Sequence, residues 1–271
     1  MRRIATLLAI LLFGIGAAVT AETVVSTHAV YGEFAQRVGG DAIDVVTIIP
    51  SGFCPAQYDL APSDLAAVLN ASIILYSGFE PWIETLADAA GSAATVIQLP
   101  GEWSTPGTAI EKVETIRDAL TERIPTEAAR FASNADTYIE ELRSLETSLQ
   151  ERAEALGTSE VAVVSMAWQL DFVSWLGFRV PVTYGIPANL SLRDLVTLTE
   201  EGVNAGAELV IDNLQSGVDF GAKLAREIGA IHVVLSNFPG AMPFTATVVD
   251  LMRRNAEALF SAIEPVGAES P

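Results

Sequence analysis

The chain has 271 residues, half of them hydrophobic, which is room for one large domain or two lobes of about 110–150 residues each. Its formal charge of −19 repels nucleic acid and anionic membrane surfaces and argues against both as partners. Cys54 is the single cysteine, so no internal disulfide can form and stability must come from core packing.

Residues 1–21, MRRIATLLAILLFGIGAAVTA, have the layout of a secretory leader: Arg2 and Arg3, an apolar run, then small residues ending at Ala21. Cleavage near Ala21 is expected. It would leave 13 basic and 34 acidic residues and a net charge of −21. The apolar run is short for a membrane span of about 20 residues. No cysteine follows it, which argues against a lipid anchor. The expected product is a periplasmic or otherwise extracytoplasmic monomer.

ETVVSTH predicts a strand, and AVYGEFAQRVGG a helix with a glycine stop. IDVVTIIP predicts the next strand, and APSDLAAVLN a helix with Pro62 in its first turn. ASIILYSG, EPWIETLADAAG and ATVIQLP continue the alternation as strand, helix and strand. Strands alternating with helices imply a parallel sheet covered on both faces.

Residues 126–156 break that rhythm. Ala128, Phe131, Ala135, Tyr138, Leu142, Leu145 and Leu149 recur at spacings of three and four. This predicts one amphipathic helix of about 30 residues, roughly 45 Å long, acting as a strut between lobes. After Gly157 the alternation resumes. VAVVS, FRVPVTYG, AELVID and IHVVLS predict strands, while AWQLDFVSWLG, SLRDLVTLTEEGVNAG and SGVDFGAKLAREIGA predict helices. A last helix is expected from about Phe244 to Ile263. The predicted fold is therefore α/β: two (βα)4 lobes with parallel four-stranded sheets joined by one long rigid helix. The expected boundaries are an N-terminal lobe at 22–125, the linker at 126–157 and a C-terminal lobe at 158–271.

In open α/β sheets ligands sit beyond the carboxyl ends of the strands. That directs attention to Thr27–Val30, Ser51–Asp59, Leu99–Pro106, Ser165–Gln169 and Ser236–Gly240, with Asp212–Gly217 as a sixth loop. His28 ends the first strand. His232 begins the last one, at the end away from the cleft.

The order of features resembles the periplasmic solute-binding proteins of zinc and manganese ABC transporters. The resemblance covers essentially the whole mature chain. It is carried by VVSTHAVYGEFAQRVGGD, by IIPSG..P..YD..PSDL, by ASIILYSGFEPWIETL, by EWSTP before a helix, and by LAREIGA and LMRRNAEALFSAI. It implies a cleft between the lobes that holds one divalent cation as cargo, and docking of the loaded protein on an ABC permease. It implies no organic cofactor and no catalysis. No G-x-S-x-G or H-E-x-x-H motif is present to suggest an enzyme.

The resemblance also implies histidine and carboxylate ligands, and these are missing from the matching positions. Ala56 stands where the first-loop motif has histidine, or Gln57 after a one-residue slip. Gly101 replaces the second histidine, between Pro100 and Trp103. The third position falls at Met166 and the fourth at Ser236 or Asn237. The candidate cleft lining is Cys54, Gln57, Tyr58, Trp103, Met166, Gln169, Asn213 and Asn237. The candidate metal donors are His28, Cys54, Asp59 and Met166, with Asp212 as a carboxylate that could swing in. Thiolate and thioether suit a soft metal, and imidazole and carboxylate suit zinc or manganese. Amides and aromatics suit a metal chelate or a small organic molecule. A receptor that has lost binding and serves a regulatory role is the remaining alternative.

Overall fold

A computed structural model describes residues 21–91 and 94–264 of the chain. The leader expected at 1–21 lies outside the described residues except for Ala21. Glu22–Ser26 (β1), Ile43–Thr47 (β2), Ala71–Tyr76 (β3) and Thr95–Gln98 (β4) form one sheet in the order β2-β1-β3-β4. Ala162–Met166 (β5), Arg179–Tyr184 (β6), Leu209–Asn213 (β7) and Ile231–Leu235 (β8) form the second, ordered β6-β5-β7-β8. Each pairing is parallel. The same topology thus occurs twice, and the carboxyl ends of each set of strands share one edge.

The helices of the first lobe are Ala29–Gly39 (α1), Pro62–Val68 (α2), Ile83–Ala90 (α3) and Pro106–Arg123 (α4). The apolar β-branched runs explain the central strands: β5 and β7 are buried at every residue, as expected for a sheet covered on both faces. At the start of α4, Thr105 accepts a hydrogen bond from the Thr108 amide at 3.4 Å, satisfying one of the orphan N–H groups of the first turn. Thr105→Ala should lower folding stability by about 1 kcal/mol, measured by thermal unfolding.

The strut is Ala128–Leu156 (α5), 29 residues ended by Gly157 at φ 68°. Its buried stripe includes Phe131, Tyr138, Leu142, Leu145 and Leu149, at the spacing read from the sequence. It packs on α4 and on the last helix, Val248–Ile263 (α9). One continuous apolar core follows from this, running from Val24 and Phe34 through Leu142 to Phe172 and Phe260. The second lobe adds Leu170–Trp175 (α6), Leu192–Asn204 (α7) and Asp219–Ile228 (α8).

The last helix starts later than the sequence suggested. Phe244 has φ 61° and is 92% exposed, so it belongs to a tight turn. Thr247 caps the helix, accepting from the Asp250 amide at 3.0 Å. Among the described residues, no helix is long and apolar enough to cross a membrane.

Candidate functional site

The carboxyl edges of both sheets face a cleft between the lobes. From the first lobe, Cys54, Pro55 and Ala56 follow β2, Phe79 follows β3 and Trp103 follows β4. From the second, Trp168 follows β5, Asn213, Gln215 and Ser216 lie at β7 and its loop, and Asn237 and Phe238 follow β8. A wider chamber of about 350 Å³ adjoins this space, lined by Phe79, Glu102, Trp103, Trp168 and Asp171 among others.

Among the described residues, two hydrogen bonds cross the cleft between the lobes. Trp103 Nε1 donates to the Asn237 carbonyl at 3.3 Å, and Gln215 Nε2 donates to the Ser51 carbonyl at 3.0 Å. Gln215 Nε2 also reaches Ser236 Oγ at 2.9 Å, and its Oε1 accepts from the Asn237 amide at 3.2 Å. Gln169 Nε2 donates to Asn237 Oδ1 at 2.7 Å. The side-chain amides of the cleft are therefore largely engaged with one another, and they fix the loops of the second lobe.

Of the sequence candidates, Cys54, Trp103, Asn213 and Asn237 are brought together on the cleft. Gln169 is 1% exposed and acts from behind, through Asn237. Tyr58 does not line the cavity. Its hydroxyl donates to Asp64 Oδ2 at 2.9 Å and its ring packs edge-on against Trp82, so it supports the loop that carries Cys54. Gln57 is exposed and is not among the residues that line either cavity.

The four candidate metal donors do not gather. Met166 is fully buried in the smaller core of the second lobe, where its sulfur accepts from the Trp168 amide at 3.2 Å. Asp59 is exposed and outside both cavities. Asp212 is also fully buried, and His232 Nε2 lies 2.8 Å from its Oδ2 while Tyr184 holds Oδ1. It is a structural carboxylate of the second lobe and is not free to swing into the cleft. Among the described residues, no group of three or more His, Cys, Asp or Glu is placed to hold a metal ion.

His28 is 1% exposed, and neither ring nitrogen has a hydrogen-bond partner. Its ring packs against Tyr31 at 4.2 Å, Trp103 at 4.8 Å and Phe238 at 5.3 Å between centroids. Burial lowers its pKa to about 4, opposed in part by the Glu80 carboxylate. The imidazole is neutral and backs the aromatic wall of the cleft. Burial also works to raise the Glu80 carboxyl. Donation from Thr27 and from the Ser77 and Gly78 amides outweighs it, so its pKa lies below the ordinary value.

Three residues escaped the sequence reading: Phe79, Glu102 and Asp171. Glu102 Oε2 accepts from the Ser104 amide at 2.9 Å and hydroxyl at 2.8 Å, and Oε1 accepts from Thr108 Oγ1 at 3.1 Å. Asp171 belongs to α6, and its pKa is raised by burial and then by the charge of Glu102. An inventory of every aromatic and acidic residue in the loops after the strands would have found Phe79 and Glu102. Asp171 lies inside a helix and carries no such signal. Of the four positions that the sequence resemblance aligned with ligands, Ala56, Gly101 and Asn237 line the cavities.

A family model described as the periplasmic zinc-uptake complex component A matches residues 24–262. A manganese-binding lipoprotein, MntA of Halalkalibacterium halodurans, is 26% identical over 273 residues, covering 89% of this chain and 88% of that protein. The iron-binding protein YfeA of Yersinia pestis is 29% identical over 149 residues, 48% of each chain. Among solved structures, the Mn-bound periplasmic metal binding protein from Candidatus Liberibacter asiaticus aligns with a TM-score of 0.77 at 20% identity, covering 89% of this chain and 99% of that one. The crystal structure of ZnuA aligns at 0.74 and 21% identity, over 88% and 99%. At such identities the structural likeness speaks for the fold.

Proposed function

The chain belongs to the periplasmic zinc-uptake complex component A family, and from that membership we propose that it is the extracytoplasmic receptor of an ABC importer. It captures a metal-borne cargo in the cleft between its lobes and presents that cargo to a membrane permease. The names of its relatives, which bind manganese and iron, support metal as the cargo's core. The observation that carries the reading is the cleft itself: loops from the carboxyl edges of both sheets meet there and are tied across it by Trp103–Asn237 and Gln215–Ser51. A space walled by two lobes and bridged by few bonds suits capture and release. Export with cleavage after Ala21 belongs to the same proposal.

The test is metal analysis of the protein isolated from the extracytoplasmic compartment without chelators, paired with metal uptake by cells with and without the gene. Metal present in proportion to protein, and slower uptake without the receptor, are expected. Unchanged uptake of every metal in cells lacking it would refute the proposal. Trp168 is 42% exposed on the cleft and contributes one wall. Trp168→Ala should weaken cargo retention roughly tenfold with little loss of stability, read as the metal that survives gel filtration.

A further inference from the structure

The chamber beside the cleft is too large and too aromatic for a bare ion. It measures about 350 Å³, the range of small-molecule pockets, and would hold roughly a dozen waters at about 30 Å³ each. Phe79 and Trp168 meet edge-on across the lobes with centroids 5.4 Å apart, and Phe79 and Trp103 do so at 6.4 Å. Phe79 and Trp168 remain 43% and 42% exposed, a large apolar surface for two aromatics in one space.

The charges around the chamber are of one sign. Glu102 comes from the first lobe and Asp171 from the second, and among the described residues no lysine or arginine lines the space. Lys112, whose ammonium lies behind Gly101, is committed to the Pro100 carbonyl at 2.6 Å. The Glu102 oxygens are already held by Ser104 and Thr108, so they offer field more than free lone pairs. A bare divalent ion would find two carboxylates here instead of three or four strong donors, and would leave the rings without a partner. An anion would be repelled. A neutral ligand would leave two carboxylates uncompensated in a partly dehydrated space. What satisfies rings and carboxylates together is positive charge enclosed in carbon, since aromatic faces attract cations and carboxylates neutralise them.

We propose that the chamber binds an organic cation, a positive charge centred on a metal that carries its own organic ligands, seated against Phe79, Trp103 and Trp168 and between Glu102 and Asp171. This rests on the receptor reading and specifies its substrate class. A metal-centred cation brings its own ligands, which accounts for a metal-family frame with no donor cluster among the described residues.

The experiment is titration of the purified mature protein, followed by tryptophan fluorescence and thermal shift. The probes are choline, its neutral isostere 3,3-dimethylbutan-1-ol, the mono-bipyridine complex of Zn2+, and Zn2+ alone. Choline is expected to bind at least tenfold tighter than the isostere, or the bipyridine complex at least tenfold tighter than Zn2+. Choline serves as a metal-free mimic of charge enclosed in carbon, and the bipyridine complex as a metal-borne cargo of the kind proposed. Glu102→Gln with Asp171→Asn should weaken that binding at least tenfold. Asp171→Asn alone, at an exposed position, serves if the double variant unfolds. The proposal is overturned if neither cation is preferred, or if the carboxamide variants bind unchanged. Tight binding of Zn2+ alone would overturn it while leaving the receptor reading standing. Loss of the receptor reading is instead seen in the uptake assay, which does not depend on these probes.

Discussion

Gly221→Ala should cost about 3 kcal/mol of folding stability, seen as a lowered urea midpoint by tryptophan fluorescence. A Cβ built on Gly221 would lie 2.1 Å from Asp212 Oδ2, 2.4 Å from its Cγ and 2.7 Å from Oδ1. The whole carboxyl group blocks the position, and it cannot step aside. Tyr184 donates to Oδ1, His232 sits on Oδ2, and the Gly221 amide itself donates to the group. Burial raises the Asp212 pKa despite these partners, so losing any one of them leaves a poorly compensated buried acid. Overpacking alone costs about 1–3 kcal/mol, and breaking a buried polar contact adds about 1–3. Gly202→Ala is the instructive comparison. Its Cβ would also come within 2.4 Å of a neighbour, but that neighbour is the terminal methyl of Ile228, which can rotate. It should cost about 1 kcal/mol. Equal losses for the two variants would show that Asp212 is less firmly held than its contacts imply.

This buried acid also shows where sequence reading reached its limit. The periodic elements were legible because period and packing agree: the β5 and β7 runs are buried at every residue, and the α5 stripe is buried from Phe131 to Leu149. The direction of the strands then placed the cleft, since parallel order puts the loops that carry Cys54, Trp103 and Asn237 on one side. Orientation of single side chains within those loops was not legible. His28 ends β1 as expected, but its ring is enclosed by Trp103 and Phe238, which arrive from loops far along the chain. Met166 ends β5, and the strand's alternation turns it into the core. Asp212 read as a mobile carboxylate because its partners Tyr184 and His232 lie on other strands of the same sheet. The chamber was missed for a similar reason. Glu102 and Asp171 become one electrostatic feature only when the two lobes are set face to face.

As pH rises from about 4.5 to 7, the parent should lose about 2 kcal/mol of stability relative to Glu33→Gln. Glu33 lies on α1 in the first lobe. Its Oε1 accepts from the Tyr138 hydroxyl of the strut at 3.2 Å, and its Oε2 accepts from the amide of Val248, the first residue of α9, at 2.6 Å. Arg37 lies over the Tyr138 ring at 4.4 Å and pairs with Glu141. One carboxyl thus joins both lobes and the helix between them. Burial raises its pKa to about 7, against the opposing pull of the Val248 amide, Tyr138 and Arg37, and with a smaller push from Asp250. Its ordinary value is 4.5. Between these two values the folded chain keeps a proton that the unfolded chain has released. The stabilisation is therefore complete below pH 4.5 and is lost as pH approaches and passes 7. At about 1.4 kcal/mol per unit the full span would be about 3.5 kcal/mol, and partial solvent access reduces this to about 2. The chain's net charge of −19 favours unfolding as carboxylates ionise, whereas His28, with its pKa lowered to about 4, makes the fold more stable as pH rises towards 6.5, so the parent slope alone would not identify the cause. The difference between parent and Glu33→Gln isolates it. Urea unfolding at half-unit steps from pH 4.5 to 8 should give a parent curve that drops about 2 kcal/mol further than the variant curve. Parallel curves would mean that Glu33 is ionised throughout, with the Val248 amide and Arg37 outweighing burial at this junction of the lobes.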